Sequence, residues 1–346
     1  MKVTAKDIAK AAGVSQSTVS VILSDNKKIA ISPETRTRVM KVAEQMGYQR
    51  KKGSKKKEQR TIVGLLVPTL SNLYYPTLIQ NVEAYAKTMG WTLVVQNTMR
   101  SPEQEEKCFQ FLREIGGKGV LCLFSPKTTI PKDMPAVIVG EKLPGVEVDT
   151  ISLNCFASGQ LAAEHLLSLG HKDIAYLTTP MSNITDARRK RLEGIQFAMQ
   201  KAGVLDRLIV MVDRNENENT ETTYEYNCGA RLTAKLLEQH PRCTAIIAVN
   251  DMTAWGCIEV LNSRDIKIPE QMAICGFDNL MIDRILSPQL TSVGQMAFHG
   301  CKIGLSALMQ KINETEEDDM VYMEYTPKLY VRGSTVSEKS LKNNKE

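Results

Sequence analysis

The sequence predicts an N-terminal all-α head followed by an α/β body of two lobes, each a parallel sheet with helices on both faces. Three observations carry this. The first 48 residues hold helix-capping signals beside small apolar faces, and from Thr61 onward apolar runs of strand length alternate with helical patterns. That alternation continues for about 270 residues, more than one sheet comfortably holds, so two lobes are expected.

In the head, Thr4 followed by Asp7 is a Thr-x-x-Asp variant of the capping box, and Ile8, Ala9 and Ala12 give the first helix one apolar face. Gly13 ends it and Val14 fills the turn. Ser15 caps a second helix whose Val19, Ile22 and Leu23 fall on the buried side, leaving Gln16, Ser17 and Ser20 facing out. A helix with an amide and hydroxyls in its first turn can donate to phosphates from its N-terminus and hydrogen-bond base edges through Gln16. That is the work of a DNA-reading helix-turn-helix; an ordinary helical hairpin with a polar surface is the alternative. A polar loop over 24–31 leads to Ser32 as N-cap, Pro33 at the first helical position and Glu34 in the first turn. Val39, Val42, Ala43 and Met46 then close a three-helix core over Ile8, Val19 and Leu23, with Gly47 as the expected C-cap.

Charge separates the two parts. Residues 1–60 carry 15 Lys or Arg against 5 Asp or Glu, and the remainder carries 29 against 34. A basic head on an acidic body favours a polyanion as partner, since each neutralised phosphate releases counterions. The head is expected to span 1–48 and a basic linker 49–60, where YQRKKGSKKKEQR, counted from Tyr48, holds seven basic residues and nothing that packs.

The body opens with TIVGLLV at Thr61. Further strand-like runs fall at 91–96, 119–123, 136–139, 174–178, 209–212, 245–249 and 272–275, separated by helical stretches near 75–89, 102–115, 157–169, 187–202, 226–239 and 252–263. With 42% apolar residues the chain can fill such cores. No run of about 18 apolar residues and no charged-then-apolar leader appears, so a cytoplasmic protein without membrane attachment is expected. The eight cysteines are scattered singly, which favours reduced, buried thiols over zinc or disulfides, and no metal or cofactor is expected. Neither GxGxxG nor GxxxxGK[ST] follows a strand, and no Gly-x-Ser-x-Gly or His-Glu-x-x-His occurs, so an enzyme is not expected. His165 and His171 are read as turn or cap residues.

The run from Ile8 to Ser20, IAKAAGVSQSTVS, resembles the head of the LacI/GalR transcriptional regulators, as do Ser32-Pro33-Glu34-Thr35-Arg36, Met46-Gly47-Tyr48 and Arg332-Gly333-Ser334-Thr335. The resemblance implies base contacts from Gln16 and Ser17 and phosphate-side contacts from Ser15, Thr18 and Ser20; with the cap residue Thr4 these form the expected DNA-binding set. Val21 stands where the family often has a longer polar reader. The family's linker reads Tyr-x-Pro-Asn and then Ala-Arg-x-Leu, a hinge helix that wedges leucines into the minor groove. Here Gln49-Arg50-Lys51 replaces that signal, so phosphate contacts from Arg50, Lys51 and Lys52 with less DNA kinking are expected. The body should look like periplasmic sugar-binding proteins, the chain crossing between lobes near 155, 292 and 322. Lobe 1 would then span about 61–155 and 293–322, lobe 2 about 156–292 and 323–335, with a tail over 336–346.

In parallel sheets the ligand sits at the carboxyl ends of strands. Four segments suit this. Ser71 to Tyr75 supplies Asn72, Tyr74 and Tyr75; Arg191-Leu192-Glu193-Gly194 resembles the family's Arg-x-x-Gly, with Arg191 as a bidentate donor. Asn250-Asp251 and Asp278-Asn279 follow two later strands. One arginine, two acids and aromatic walls fit a polyhydroxyl effector such as a sugar. The simpler roles are Asp251 as a helix cap, Asp278 as a turn former and Arg188, Arg189 and Lys190 as solvated residues, while Glu141 and 146–149 lie near the expected cleft without assignment. The reading is a homodimeric regulator, expected to repress, that binds a pseudo-palindromic double-stranded operator under control of a small ligand. A constitutive DNA binder without an effector and a free solute-binding protein are the alternatives, the latter having no use for the head.

Overall fold

The computed structural model describes residues 3–23, 31–48, 61–141, 145–181, 186–215, 221–294, 297–313 and 320–337. The basic linker, and with it Arg50, Lys51 and Lys52, lies outside these, as does most of the tail. The chain divides into two compact units, Met1–Arg60 and Thr61–Glu346.

The first unit contains α1 (Ala5–Ala12), α2 (Gln16–Leu23) and α3 (Pro33–Gln45). Its core is small: Ile8, Ala9, Ala12, Val19, Ile22, Val39 and Ala43 are buried, ringed by Val14, Leu23, Met46 and Tyr48. So little apolar area leaves the caps a large share of the stability. Thr4 and Asp7 close the box from both sides, Thr4 N donating to Asp7 Oδ2 at 2.8 Å and Asp7 N to Thr4 Oγ1 at 3.4 Å. At the end of α3, Met46 takes the cap and Gly47 the left-handed position after it (φ +68°), so that Tyr48 N reaches Ala43 O at 2.9 Å.

The second unit runs β1 (Thr61–Val67), α4 (Tyr74–Thr88), β2 (Trp91–Asn97), α5 (Pro102–Glu114), β3 (Gly119–Cys122), β4 (Ala136–Val139), β5 (Asp149–Leu153), α6 (Cys155–Ser168), β6 (Ile174–Thr178), α7 (Asp186–Lys201), β7 (Leu208–Val212), α8 (Tyr224–Gln239), β8 (Ala245–Ala248), α9 (Asp251–Ser263), β9 (Ala273–Phe277), β10 (Thr291–Gly294), α10 (Ala297–Asn313), β11 (Tyr322–Tyr325) and β12 (Lys328–Tyr330). The strands form two six-stranded sheets ordered β11-β5-β4-β3-β1-β2 and β12-β10-β9-β8-β6-β7. Every pairing is parallel except β10 with β12. In each sheet the first strand sits between the second and the third, so β1 and β6 mark two equivalent switch points where the crossovers diverge and a crevice opens.

Three expectations are corrected. α10 was not anticipated: the missing Cβ at Gly304, which would lie 2.9 Å from Leu121, lets the helix press onto the first sheet with Cys301, Leu305 and Leu308 in its core. The first crossing between lobes falls at Asn154, between β5 and α6, but β10 belongs to the second sheet and β11 to the first. The later crossings therefore lie between Gly294 and Ala297 and between Tyr325 and Lys328, a few residues after 292 and 322. These short strands pair through their backbones, and Thr291, Ser292 and Glu324 give no apolar run to mark them.

Helix pairs in the second lobe meet backbone to backbone. A Cβ on Gly159 of α6 would lie 1.9 Å from the Arg191 carbonyl oxygen, and one on Gly194 of α7 would lie 2.0 Å from that of Phe156. The Arg-x-x-Gly spacing thus has a packing meaning: the glycine seats α7 and the arginine three residues earlier is aimed by that seat. Gly159→Ala forces the helices apart and is expected to lower the unfolding free energy by about 1–3 kcal/mol in urea titration of the full chain. A loss below about 0.5 kcal/mol, the range of an ordinary surface change, would mean that the contact is not this close.

Candidate functional site

The head presents one polar edge. Ser15 caps α2 by accepting from Thr18 N at 3.1 Å, and its hydroxyl lies 2.7 Å from that of Ser17 and 2.8 Å from that of Thr18. Gln16, Ser17 and Ser20 are exposed, whereas Val19 and Ile22 on the opposite side are buried. The amide of Gln16 is thus carried on the first turn, where backbone N–H groups also point outward. Thr4 has its amide and hydroxyl engaged by Asp7, so its place in the expected set is first that of a cap.

In the body, loops at the carboxyl ends of both sheets enclose a cavity of about 120 Å³. One water needs roughly 10–15 Å³ on this measure, so the space suits a molecule of monosaccharide size rather than a long chain. Of the seven expected ligand residues, the cavity brings together Asn72, Tyr74, Tyr75, Arg191, Asn250 and Asp278. Asn72 follows β1; its Oδ1 accepts from Tyr74 N at 2.8 Å to start α4, and its Nδ2 donates across the cleft to Glu225 at 2.6 Å. The rings of Tyr74 and Tyr75 meet edge to face at 5.2 Å, and burial pushes both hydroxyls above their ordinary range. Asn250 is the N-cap of α9, its Oδ1 accepting from Thr253 N at 2.9 Å.

Arg191 is 8% exposed. Its Nη1 donates to the Val249 carbonyl at 2.6 Å, its guanidinium lies 4.5 Å from the Phe277 ring centre, and Nη2 is 3.9 Å from Asp278. Its Nε is buried without a hydrogen-bond partner. Burial raises the Asp278 carboxyl to about 7; Arg191 opposes the shift, and Glu225 and Asp283 add to it. The backbone at Asp278 and Asn279 is left-handed (φ +109° and +53°), with Asn279 N donating to Ser292 Oγ at 2.9 Å and Arg332 Nη2 donating to the Asn279 side-chain Oδ1. That clamp gives the Arg332-Gly333-Ser334-Thr335 motif a structural role beneath the cleft.

Asp251 is the seventh, and the structure removes it. It is fully buried, accepting from Ser292 Oγ at 2.8 Å and Leu280 N at 3.1 Å, and burial beside Asp283 raises its carboxyl well above the ordinary range. It braces the floor and does not line the cavity. Arg188 departs the other way: expected as solvated, it is 6% exposed, donates to the Pro180 carbonyl at 2.8 Å and lines the cavity. Lys190 pairs with Glu141 across the cleft at 2.6 Å, while Arg189 stays exposed. Arg100 and Glu225 also line the cavity and were missed; Arg100 directly follows β2, where the strand-end rule would have found it, whereas Glu225 lies in the first turn of α8, far from the end of β7.

Elsewhere, His165 bonds Thr335 at 2.8 Å and His171 bonds Thr244 at 3.0 Å, structural ties in both cases. All eight cysteines are free and buried. Among the described residues no cluster of three His, Cys, Asp or Glu could hold a metal, and no helix is long and apolar enough to cross a membrane.

The Asp278 shift has a measurable sign. Its folded value lies above the unfolded one, so its contribution to stability is fully present at low pH and is lost as pH rises through about 7. Between pH 6.5 and 8, above the lowered values of His165 and His171, the full chain should lose stability with rising pH, and Asp278→Asn should flatten that slope. Equal slopes in thermal unfolding of the two proteins would contradict it.

The comparisons agree with this architecture. Residues 4–51 match the family described as bacterial regulatory proteins, lacI family, and residues 163–335 match the periplasmic binding protein-like domain. The chain is 30% identical over 307 residues to the HTH-type transcriptional regulator DegA of Bacillus subtilis, covering 85% of this chain and 87% of that protein. It is 29% identical over 349 residues to the HTH-type transcriptional repressor PurR of Haemophilus influenzae (strain PittEE), covering 96% and 99%. Among solved structures, a LacI family regulator from Enterococcus faecium with bound ribose has a TM-score of 0.69 at 24% identity, covering 80% of this chain and 99% of that one, which speaks to the fold. A capped reading head, two lobes around one cleft and a full-length match to such regulators lead to one conclusion: the chain belongs to the lacI family of bacterial regulatory proteins, DNA-binding regulators of transcription.

Proposed function

We propose that this regulator is a homodimeric repressor whose affinity for a pseudo-palindromic operator is set by a small polyhydroxyl ligand bound between the two lobes. The observation that carries the ligand is the Arg191 fork, buried, held by Val249 and Asp278, in the lining of an empty volume of monosaccharide size. Planar guanidinium edges bind two oxygens in parallel, so vicinal hydroxyls suit it, and the faces of Tyr74 and Tyr75 suit the apolar side of a sugar ring. Both lobes supply groups to the cavity, so a ligand there ties closure of the cleft to its own binding, with a coupling of about 1–3 kcal/mol to the DNA-bound state. Two heads are invoked because one small head has limited contact area, and a pair about 34 Å apart reads a two-fold site with greater discrimination. In this reading the chain performs no catalysis and needs neither metal nor cofactor.

A constitutive binder remains the second reading, favoured by the two polar bridges, Asn72 to Glu225 and Lys190 to Glu141, that join the lobes through protein groups alone. Effector response separates the readings.

Replacing Gln16 and Ser17 by Ala should change the preferred sequence in selection from random duplexes and cost about 1–3 kcal/mol on the wild-type site at fixed salt. An unchanged preference would remove α2 as the reading helix. With a ligand identified by thermal shift, Arg191→Ala should weaken its binding at least about tenfold while ligand-free operator affinity in gel shift stays within about threefold. If the wild-type protein gains no thermal stability from any of a broad panel of sugars and nucleobases, the constitutive reading takes its place.

A further inference from the structure

Three of the four apolar side chains of α2 are taken up by the head's own core: Val19 and Ile22 are buried there, and Leu23 packs against them. Val21, the fourth, belongs neither to that core nor to the residues packed against it. At about 100° per residue the buried direction of α2 lies between Val19 and Ile22, and Ser17 faces almost directly away from it. Ser20 and Val21 then flank Ser17, each about 130° from the buried direction. Val21 also stands four residues after Ser17, one turn further along the same edge. It is half-buried, so its isopropyl group keeps part of its surface open beside the exposed Ser17 and Ser20.

In the free head this placement contributes little. A β-branched residue costs helix stability relative to alanine, and apolar surface left in water offsets none of that cost. A single half-exposed valine is ordinary on most protein surfaces. This one shares the edge by which α2 would meet base pairs. There, donors and acceptors fill the major-groove edges of all four base pairs, and one apolar group stands among them, the C5 methyl of thymine. An isopropyl group pressed on a donor or acceptor strips its water and replaces nothing. Pressed on a methyl, it buries apolar area on both partners.

We propose that Val21 is a specificity-determining residue that selects a T·A pair by covering the C5 methyl of its thymine, within about two base pairs of the pair met by Ser17. Four residues of helix rise about 6 Å and one base pair about 3.4 Å, which sets that spacing. The inference rests on α2 being the reading helix and adds a base that the polar residues beside it do not specify.

The test takes the duplex that the full-length protein selects from random sequence and replaces each thymine in turn by uracil, which removes the methyl and keeps every hydrogen bond of the pair. At least one replacement should weaken binding about three- to fivefold, as expected for one buried methyl. At that position 5-methylcytosine paired with guanine should bind tighter than cytosine by a similar factor. Val21→Ala, outside the core, should bind the thymine and uracil duplexes equally within about 1.5-fold. Because the contact is apolar, the wild-type thymine-to-uracil ratio should hold between about 50 and 200 mM salt, while the affinity itself falls steeply. Uracil tolerated at every position, or a sensitive position whose ratio Val21→Ala leaves intact, would overturn the inference and leave α2 as the reading helix. If replacing Gln16 and Ser17 by Ala also left the selected sequence unchanged, the reading helix itself would fall, and this inference with it.

Discussion

The body depends on one buried guanidinium. Arg191 lies over Phe277, donates to Val249 and faces Asp278, so it ties the ends of β8 and β9 to α7. A charge this buried is tolerable only where hydrogen bonds and an opposite charge surround it. The protein supplies these through the Val249 carbonyl and Asp278, while Nε is buried without a hydrogen-bond partner.

Holding that group in place is a matter of helix packing. The Arg191 carbonyl is the atom that a side chain on Gly159 would strike, and Gly194 meets Phe156 in the same way from the facing helix. Gly229 and Gly256 repeat the arrangement between α8 and α9, each within about 2 Å of a facing carbonyl if a Cβ were added. Two helix pairs are thereby locked without intervening side chains, and both pairs begin at the cleft. Beneath them Asp251 and Asp283 form a buried acidic brace, Asp283 accepting from Trp255 Nε1 at 2.9 Å. The same residue type thus serves as floor at 251 and as wall at 278.

The head solves a different problem with little material. Seven buried apolar side chains hold three helices, and the chain compensates with reciprocal capping at Thr4 and Asp7, a hydroxyl cap at Ser15 and left-handed glycines at 13 and 47. Small residues inside and short polar residues outside are what a helix needs if its first turn is to approach another molecule's backbone closely.

Local chemistry was legible in the chain by itself. The caps, the period of the apolar positions and the long apolar strands depend on residues within a few positions of one another, so the head, most of the alternation and the strand-end rule that located Asn72, Tyr74, Tyr75, Arg191, Asn250 and Asp278 could be read directly. Whatever depends on a distant partner was decided by the tertiary structure. Asp251 turns inward because Ser292 waits there, 41 residues away, and Arg188 is buried where its guanidinium donates to the Pro180 carbonyl. Glu225 enters the cleft because Asn72 meets it across 153 positions, and α10 survives two glycines because a sheet presses on them. Orientation toward a cavity is a property of space between segments, and no window along the sequence contains that space.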